Sequence, residues 1–274
     1  MRESDRAKER SAGLLALAPA FAAAVRAGGA LARDAFGKPM KTWLKDHSSP
    51  VSEADIAVDD LLKTKLAALA PDAGWLSEES ADAPARLSAP LVWIVDPIDG
   101  TRAFIAGRPD WAVSAALVEN GRPVLAALYA PASEEFFLAV AGRGGTCNGA
   151  PLRANPEPTI AGARIGGPKG FLDRLAAVAP PFHAAERVHS LALRLARVAD
   201  GTLDAAFAGR NSHDWDLAAA DLLVHEAGGA LTTIGGATLA YNRAVPVHDV
   251  LVAAGLARHR ALCVLLREHE MRLR

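Results

Sequence analysis

The stretch Leu91-Val92-Trp93-Ile94-Val95-Asp96-Pro97-Ile98-Asp99-Gly100-Thr101 constrains this chain more than any other. Five apolar residues in a row leave no polar face, so they read as a strand covered on both sides and central in its sheet. The strand then ends in an acid, and ligands of open α/β sheets sit at the carboxyl ends of strands. Pro97 lacks the N–H a ladder needs and Asp99-Gly100 is turn chemistry, so the strand should stop at Asp96 and the chain should turn. Asp96 and Asp99, with the Ile98 carbonyl between them, can converge on a hard cation. Oxygen-only ligands favour Mg²⁺ over zinc. Gly100 and Thr101 then open a helix or helical turn whose N–H groups would point at an anion.

Taken alone, Asp-x-x-Asp reads first as an acidic turn capping a helix. Three more acidic pieces change the balance. Leu76-Ser77-Glu78-Glu79-Ser80 is a second apolar run ending in adjacent acids. Two such strand ends without nearby bases are costly unless a cation is present. His213-Asp214-Trp215-Asp216 opens an apolar-periodic segment that stops at Gly228-Gly229, a helix end. Asp214 there reads as a plain N-cap. Ser49-Pro50-Val51-Ser52-Glu53-Ala54-Asp55 also stands at a helix start, with Ser52 as cap and Glu53 and Asp55 favoured by the first-turn amides.

Together the four pieces resemble the inositol monophosphatase family of Mg²⁺-dependent, lithium-sensitive phosphatases, in the family's order and over most of the chain. The resemblance implies an alternating α-β-α-β-α sandwich with a metal site between two lobes. It implies that Glu78, Asp96 and the Ile98 carbonyl hold a first Mg²⁺, and Asp96, Asp99 and Asp216 a second. Glu78 would serve a third ion through water, near Lys45. Asp55 and Thr101 would orient and deprotonate the attacking water. The Gly100 and Thr101 amides would grip the phosphate, and Ser190 would stand on the leaving-group side. Family members are commonly homodimers. The chemistry agrees, since phosphate-ester cleavage needs charge neutralised on the equatorial and leaving oxygens. A non-catalytic relative would have lost a ligand acid, and none is lost.

Departures from the family concern the substrate. The usual Thr near Asp55 is Ser52, the usual Gly-Glu-Glu is Ser77-Glu78-Glu79, and a common Gly-Ser is His189-Ser190. Ser-Pro-Val-Ser-x-Ala-Asp and Leu-Ser-Glu-Glu resemble the 3′(2′),5′-bisphosphate nucleotidase branch, which acts on adenosine 3′,5′-bisphosphate. Inositol monophosphatase stands close behind it and histidinol phosphatase third. Gly166-Gly167-Pro168-Lys169 could bind a second phosphate through Lys169, or be a turn with Pro168 starting a helix.

Elsewhere the pattern is layered α/β. Residues 14–36 read as a helix, and Ile56, Val58, Leu61, Leu62, Leu66 and Leu69 as the buried stripe of a second. Strands are expected at 75–76, 112–118, 124–129 and 136–140, the middle two joined by Asn120-Gly121. Beyond residue 150, helices near 171–178, 191–198 and 217–227 alternate with strands at 203–207, 230–233 and 250–253, and a last helix runs to Arg274. Two lobes follow, 1–154 and 155–274. Trp93 and Trp111 read as core, Cys147 as a loop thiol, His225 as a surface or lobe-contact residue, and Arg194 and Arg197 as the solvated face of a helix.

Composition removes other classes. Thirty Lys plus Arg against 31 Asp plus Glu give −1, without the basic excess of a nucleic-acid binder. Two distant cysteines and eight scattered histidines make neither a disulfide framework nor a zinc site. The alanine-rich run 12–32 is broken by Pro19 and Arg26 and preceded by Glu3, Asp5 and Glu9. It reads as an ordinary first helix rather than a signal peptide, and no stretch reads as a membrane span. The expected setting is the cytoplasm and the expected partner a small phosphorylated metabolite.

Overall fold

A computed structural model describes residues 3–45 and 49–269, with the backbone alone at 3–9 and 49. The first helix, α1 (Glu3–Ala35), is followed by β1 (Thr42–Lys45) and β2 (Ser49–Ser52), which pair antiparallel. Part of the extended piece expected between Trp43 and Pro50 lies outside the described residues. Next come α2 (Glu53–Leu69), β3 (Gly74–Ser77), β4 (Leu91–Asp99) and the short α3 (Thr101–Ile105). Then β5 (Ala112–Glu119), β6 (Arg122–Ala130), β7 (Glu135–Val140), β8 (Gly145–Cys147) and β9 (Ala150–Pro151) complete a seven-stranded sheet in chain order. Asn120 and Gly121 both take positive φ, 49° and 76°, as the two-residue hairpin turn requires. Cys147 thus sits on a short strand rather than in a loop.

A second sheet follows. In chain order the elements are β10 (Arg164–Gly166), α4 (Lys169–Ala176), β11 (His183–Ala184), α5 (Leu191–Ala199), β12 (Ala205–Ala208), β13 (Ser212–His213), α6 (Asp214–Glu226), β14 (Gly229–Thr233), β15 (Val247–His248), β16 (Leu251–Gly255) and α7 (Leu256–Glu268). The five-stranded sheet has the order β11-β10-β12-β16-β14, while β13 and β15 pair separately. The end of the last expected helix lies outside the described residues.

Alternation of side chains along each strand builds the layers. On β4, Trp93 and Val95 join Phe21, Val25, Val58, Leu62 and Leu66 of α1 and α2. Val92 and Ile94 face the opposite way, into a core with Leu193, Leu195, Leu217 and Leu223 of α5 and α6. Ala206, Ala208, Leu251 and Ala253 of the second sheet close that core from its far side. The outer face of this sheet carries Ile165, Phe207 and Val252 onto Phe171 and Leu175 of α4 and Leu262 and Leu266 of α7. The result is the expected α-β-α-β-α sandwich. Trp93 stacks on Phe21 with centroids 5.3 Å apart. Trp111 is fully buried against Phe36 and Phe104.

Four expectations change. β4 is covered on both faces but stands second from the sheet edge, beside β3. It also continues past Pro97, because Asp99 still pairs with Ala112 across a register shift after Asp96. The irregularity absorbs the missing N–H of Pro97. It also decides the site, since residues three apart on a regular strand point to opposite faces and a bulge resets that parity. Third, α5 is wedged between the sheets, so Arg194 and Arg197 are not a solvated face. Arg197 is half-buried and grips Glu135 through two bonds of 2.5 Å. Fourth, residues Arg10–Ala35 of α1 are long and apolar enough to cross a membrane by length and composition, with mean hydropathy 1.6, because the alanines and leucines between the few charged residues outweigh them. Here α1 packs Phe21, Ala24, Val25 and Ala32 into the core.

Candidate active site

Three aspartates meet where the first sheet touches α6. One carboxylate oxygen each from Asp96, Asp99 and Asp216 lies within 4.8 Å of the others. Asp96 and Asp99 stand on either side of the β4 irregularity. Asp216 is the third residue of α6, and its Oδ2 accepts the N–H of the cap residue His213 at 2.6 Å. Asp55 repeats this device at the third residue of α2, where its Oδ2 accepts the Ser52 N–H at 2.8 Å and the Ser52 hydroxyl at 2.5 Å. In both helices the carboxylate that closes the first turn keeps its other oxygen for the site.

The opposite oxygen of Asp55, Oδ1, lies 3.1 Å from Thr101 Oγ1. That hydroxyl is also 3.0 Å from the Ile98 carbonyl oxygen. The Ile98 N–H donates to Asp96 Oδ1 at 3.0 Å, while Asp96 Oδ2 is buried with no partner. Gly100 takes φ 93°, and a Cβ there would stand 3.1 Å from the Ser190 nitrogen and 3.2 Å from the Asp110 oxygen. Glycine is therefore required both by the turn and by the approach of the chain that leads into α5. Ser190 Oγ and the Ala192 N–H both donate to Asp99 Oδ2 at 2.6 Å. Asp110 fixes the preceding residue, taking the His189 N–H at 2.7 Å and facing His189 Nδ1 at 2.6 Å.

Glu78 adjoins the cluster at the end of β3, tied to β4 by its N–H on the Val95 oxygen at 3.3 Å. Lys45 lies over it. The Lys45 ammonium is 2.8 Å from Glu79 Oε1, 2.8 Å from the Glu78 carbonyl oxygen and 3.3 Å from Glu78 Oε1. The two serines that bracket the pair, Ser77 and Ser80, both donate to the buried Asp59 of α2. Asp59 lies one helical turn after Asp55 and is not among the residues singled out in the sequence. Its signal was the i, i+4 spacing of two acids on a face that also carries Val58, Leu62 and Leu66.

Electrostatics single out the same groups. Burial, then Glu78, Asp99 and Asp216, hold Asp96 well above the usual carboxylate range. Burial and the Asp99 charge raise Asp216 likewise. Asp99 is pushed up to about 6 by burial, against the bonds from Ser190 and the α5 backbone. Glu79 is pushed to about 7 by burial despite Lys45. Burial raises Asp55 against the bonds from Ser52 and Thr101. Acids packed this way keep their protons or take a cation in their place. An oxygen-only donor set with an orphaned buried oxygen fits a hard divalent ion.

Two residues singled out in the sequence lie apart from the cluster. Lys169 is exposed on the first turn of α4, with its ammonium 2.8 Å from Asp173 Oδ2, and no described contact joins it to the acids. Asp214 is no cap: the cap residue is His213, and Asp214 is fully buried under His248 Nε2 and the Asn242 N–H, each at 2.7 Å.

A family model described as "Inositol monophosphatase family" matches residues 16–271. An inositol-1-monophosphatase of Rhizobium meliloti is 36% identical over 225 residues, covering 78% of this chain and 84% of that one. One from Mesorhizobium japonicum is 34% identical and covers 86% and 92%. The crystal structure of the extragenic suppressor protein suhB from Bartonella henselae superposes with a TM-score of 0.80 at 27% identity, covering 92% of this chain and 99% of the other.

Proposed function

The chain belongs to the inositol monophosphatase family, a family of phosphoric monoester hydrolases, and we propose that its own acid cluster is a Mg²⁺-dependent phosphatase site for a small phosphate ester. The observation that carries this is the convergence of Asp96, Asp99 and Asp216 around the unpartnered Asp96 Oδ2, beside the Asp55–Thr101 pair. Glu78, Asp96 and the Ile98 carbonyl would hold one Mg²⁺, and Asp96, Asp99 and Asp216 another, with Glu78 reaching a third through water. Ions bound there supply charge neutralisation on the phosphate and leaving oxygens and acidify a water.

The protein groups have separate tasks. Thr101 Oγ1 and Asp55 Oδ1 orient the attacking water, and Asp55 takes its proton onward. The Gly100 and Thr101 amides hold phosphate oxygens. Ser190 and the Ala192 N–H keep Asp99 turned to the site. Assay of phosphate release tests the proposal. Release in Mg²⁺ that excess EDTA abolishes is expected. No release from inositol 1-phosphate, adenosine 3′,5′-bisphosphate or histidinol phosphate sinks the reading, and full activity in EDTA sinks its metal part.

Two leaving groups compete. The names of the bacterial relatives support inositol 1-phosphate. A cation on α5 that meets no carboxylate among the described ion pairs supports the bisphosphate.

A further inference from the structure

Cations near a cluster of acids normally end on carboxylates, and most here do. Lys45 lies on Glu78 and Glu79, Arg197 on Glu135 and Asp200, and Lys169 on Asp173. Arg194 does not. It stands on α5 one turn after Ser190, whose hydroxyl holds Asp99. Its stem crosses Gly166 at the end of β10, where a Cβ would lie 3.4 Å from both Arg194 Cγ and Cδ and 2.9 Å from Leu203 Cδ1. Gly166 thus makes room chiefly for Leu203, and the arginine stem lies in contact beside it. One terminal nitrogen donates to the Val188 oxygen at 3.3 Å, and Nε is buried with no partner. Among the described ion pairs none includes Arg194.

A half-buried guanidinium offers five donors in a planar fork, and leaving them unfilled away from water is costly. The acids of the site do not fill them. Asp99 Oδ2 is taken by Ser190 and Ala192, and Asp216 Oδ2 by the His213 N–H. Both aspartates still act on Arg194 electrostatically, as does Arg187, which repels it. The exposed Arg187 therefore adds positive charge to the same corner. Two arginines without carboxylate partners among the described ion pairs, beside acids suited to cations, divide the region into a cation site and an anion site.

We propose that Arg194 is a specificity-determining residue that takes a second phosphate carried by the leaving group. The proposal rests on the phosphatase reading above and adds the substrate class to it: phosphate esters with a second phosphate. A phosphate matches the guanidinium fork, and Arg is favoured wherever paired contacts to phosphate are needed.

The test compares kcat/KM of the full chain in Mg²⁺ on three substrates: adenosine 3′,5′-bisphosphate, adenosine 3′-monophosphate and inositol 1-phosphate. The wild type should prefer the bisphosphate over the monophosphate by about ten- to a hundredfold. Arg194→Gln should remove that preference while changing inositol 1-phosphate less than about threefold, and Arg194→Lys should restore part of it. Equal kcat/KM for the two adenosine esters in the wild type overturns the proposal without any variant. Equal losses on all three substrates in Arg194→Gln also overturn it, making Arg194 a counter-charge for the acids. Wild-type activity on inositol 1-phosphate alone defeats the subsite and leaves the phosphatase reading intact. No activity on any substrate defeats the phosphatase reading itself.

Discussion

Thr101 Oγ1 lies 3.1 Å from Asp55 Oδ1 across 46 positions of sequence. The hydroxyl has one proton and two acceptors in reach, Asp55 and the Ile98 oxygen at 3.0 Å. Whichever it serves, its lone pairs remain for a third group, and Asp55 remains able to take a proton.

Replacing either member separates catalysis from folding. Thr101→Ala should cost about 10²–10⁴-fold in kcat, the usual span for a positioned proton-transfer group, with thermal stability nearly unchanged. Thr101→Ser should recover most of the rate. Asp55→Ala should lose activity and also about 0.5–2 kcal/mol of stability, because its other oxygen holds the Ser52 N–H at the start of α2. Steady-state kinetics with thermal melts check both. Normal turnover in Thr101→Ala would reduce the pair to a structural contact between α2 and α3.

Asp99→Asn should lower kcat by orders of magnitude while leaving circular dichroism unchanged. The metal-free variant should melt at a higher temperature than the metal-free wild type, because one of three crowded carboxylates has lost its charge. A lower metal-free melting temperature would show that the bonds from Ser190 and Ala192 matter more than the crowding.

The raised acids set a pH dependence. Asp99 near 6 and Glu79 near 7 bind protons more tightly folded than unfolded, where carboxylates titrate near 4. Their contribution to stability is therefore complete below about pH 4 and is lost as the pH rises through 6 and 7. His213 and His259, held neutral by burial, oppose this trend up to about pH 6.5. A difference measurement separates the two. The melting-temperature increase produced by Mg²⁺ should grow steadily from pH 5 to pH 8, as the ion stops competing with protons. A constant increase would mean that the ion binds elsewhere.

Asp59 should act on metal affinity rather than on chemistry. It receives both serines that bracket Glu78 and Glu79. Asp59→Ala leaves the buried Ser77 hydroxyl and the half-buried Ser80 hydroxyl without their acceptor, at about 1–3 kcal/mol for the buried one if nothing replaces it. The Mg²⁺ concentration for half-maximal rate should rise, while kcat at saturating Mg²⁺ stays within a few-fold. Loss of kcat alone would remove Asp59 from the support of Glu78.

Most helices and the long strands were legible because their apolar periods are long enough to be unambiguous. The acids were legible because each either ends an apolar run, as Glu78 and Asp96 do, or opens a helix, as Asp55 and Asp216 do. What escaped was short or depended on neighbours. β10, β11, β13 and β15 have two or three residues each, below the length at which alternation carries information. The continuation of β4 past Pro97 needed the bulge, which no local pattern announces. Arg194 and Arg197 sit at helical spacings that mark one face of α5. The period gives a face but not its cover, and here the first sheet, α6 and the second sheet surround the helix. Lys169 beside two glycines reads as a phosphate ligand or as a helix start, and the structure adds its exposed pairing with Asp173, four residues on.

The bonds from Ser190 and Ala192 to Asp99 give assembly of this protein a built-in inspection step. Asp99 belongs to the first sheet, its two donors to the start of α5, and Asp216 to α6. A chain that has folded its first 150 residues but not docked the remainder has only part of a cage. It would release an ion as fast as it caught one. Tight retention of metal is then a certificate that both ends of the polypeptide have arrived, and any lesion that lets α5 drift would show first as leakage of the ion, well before the sheets come apart.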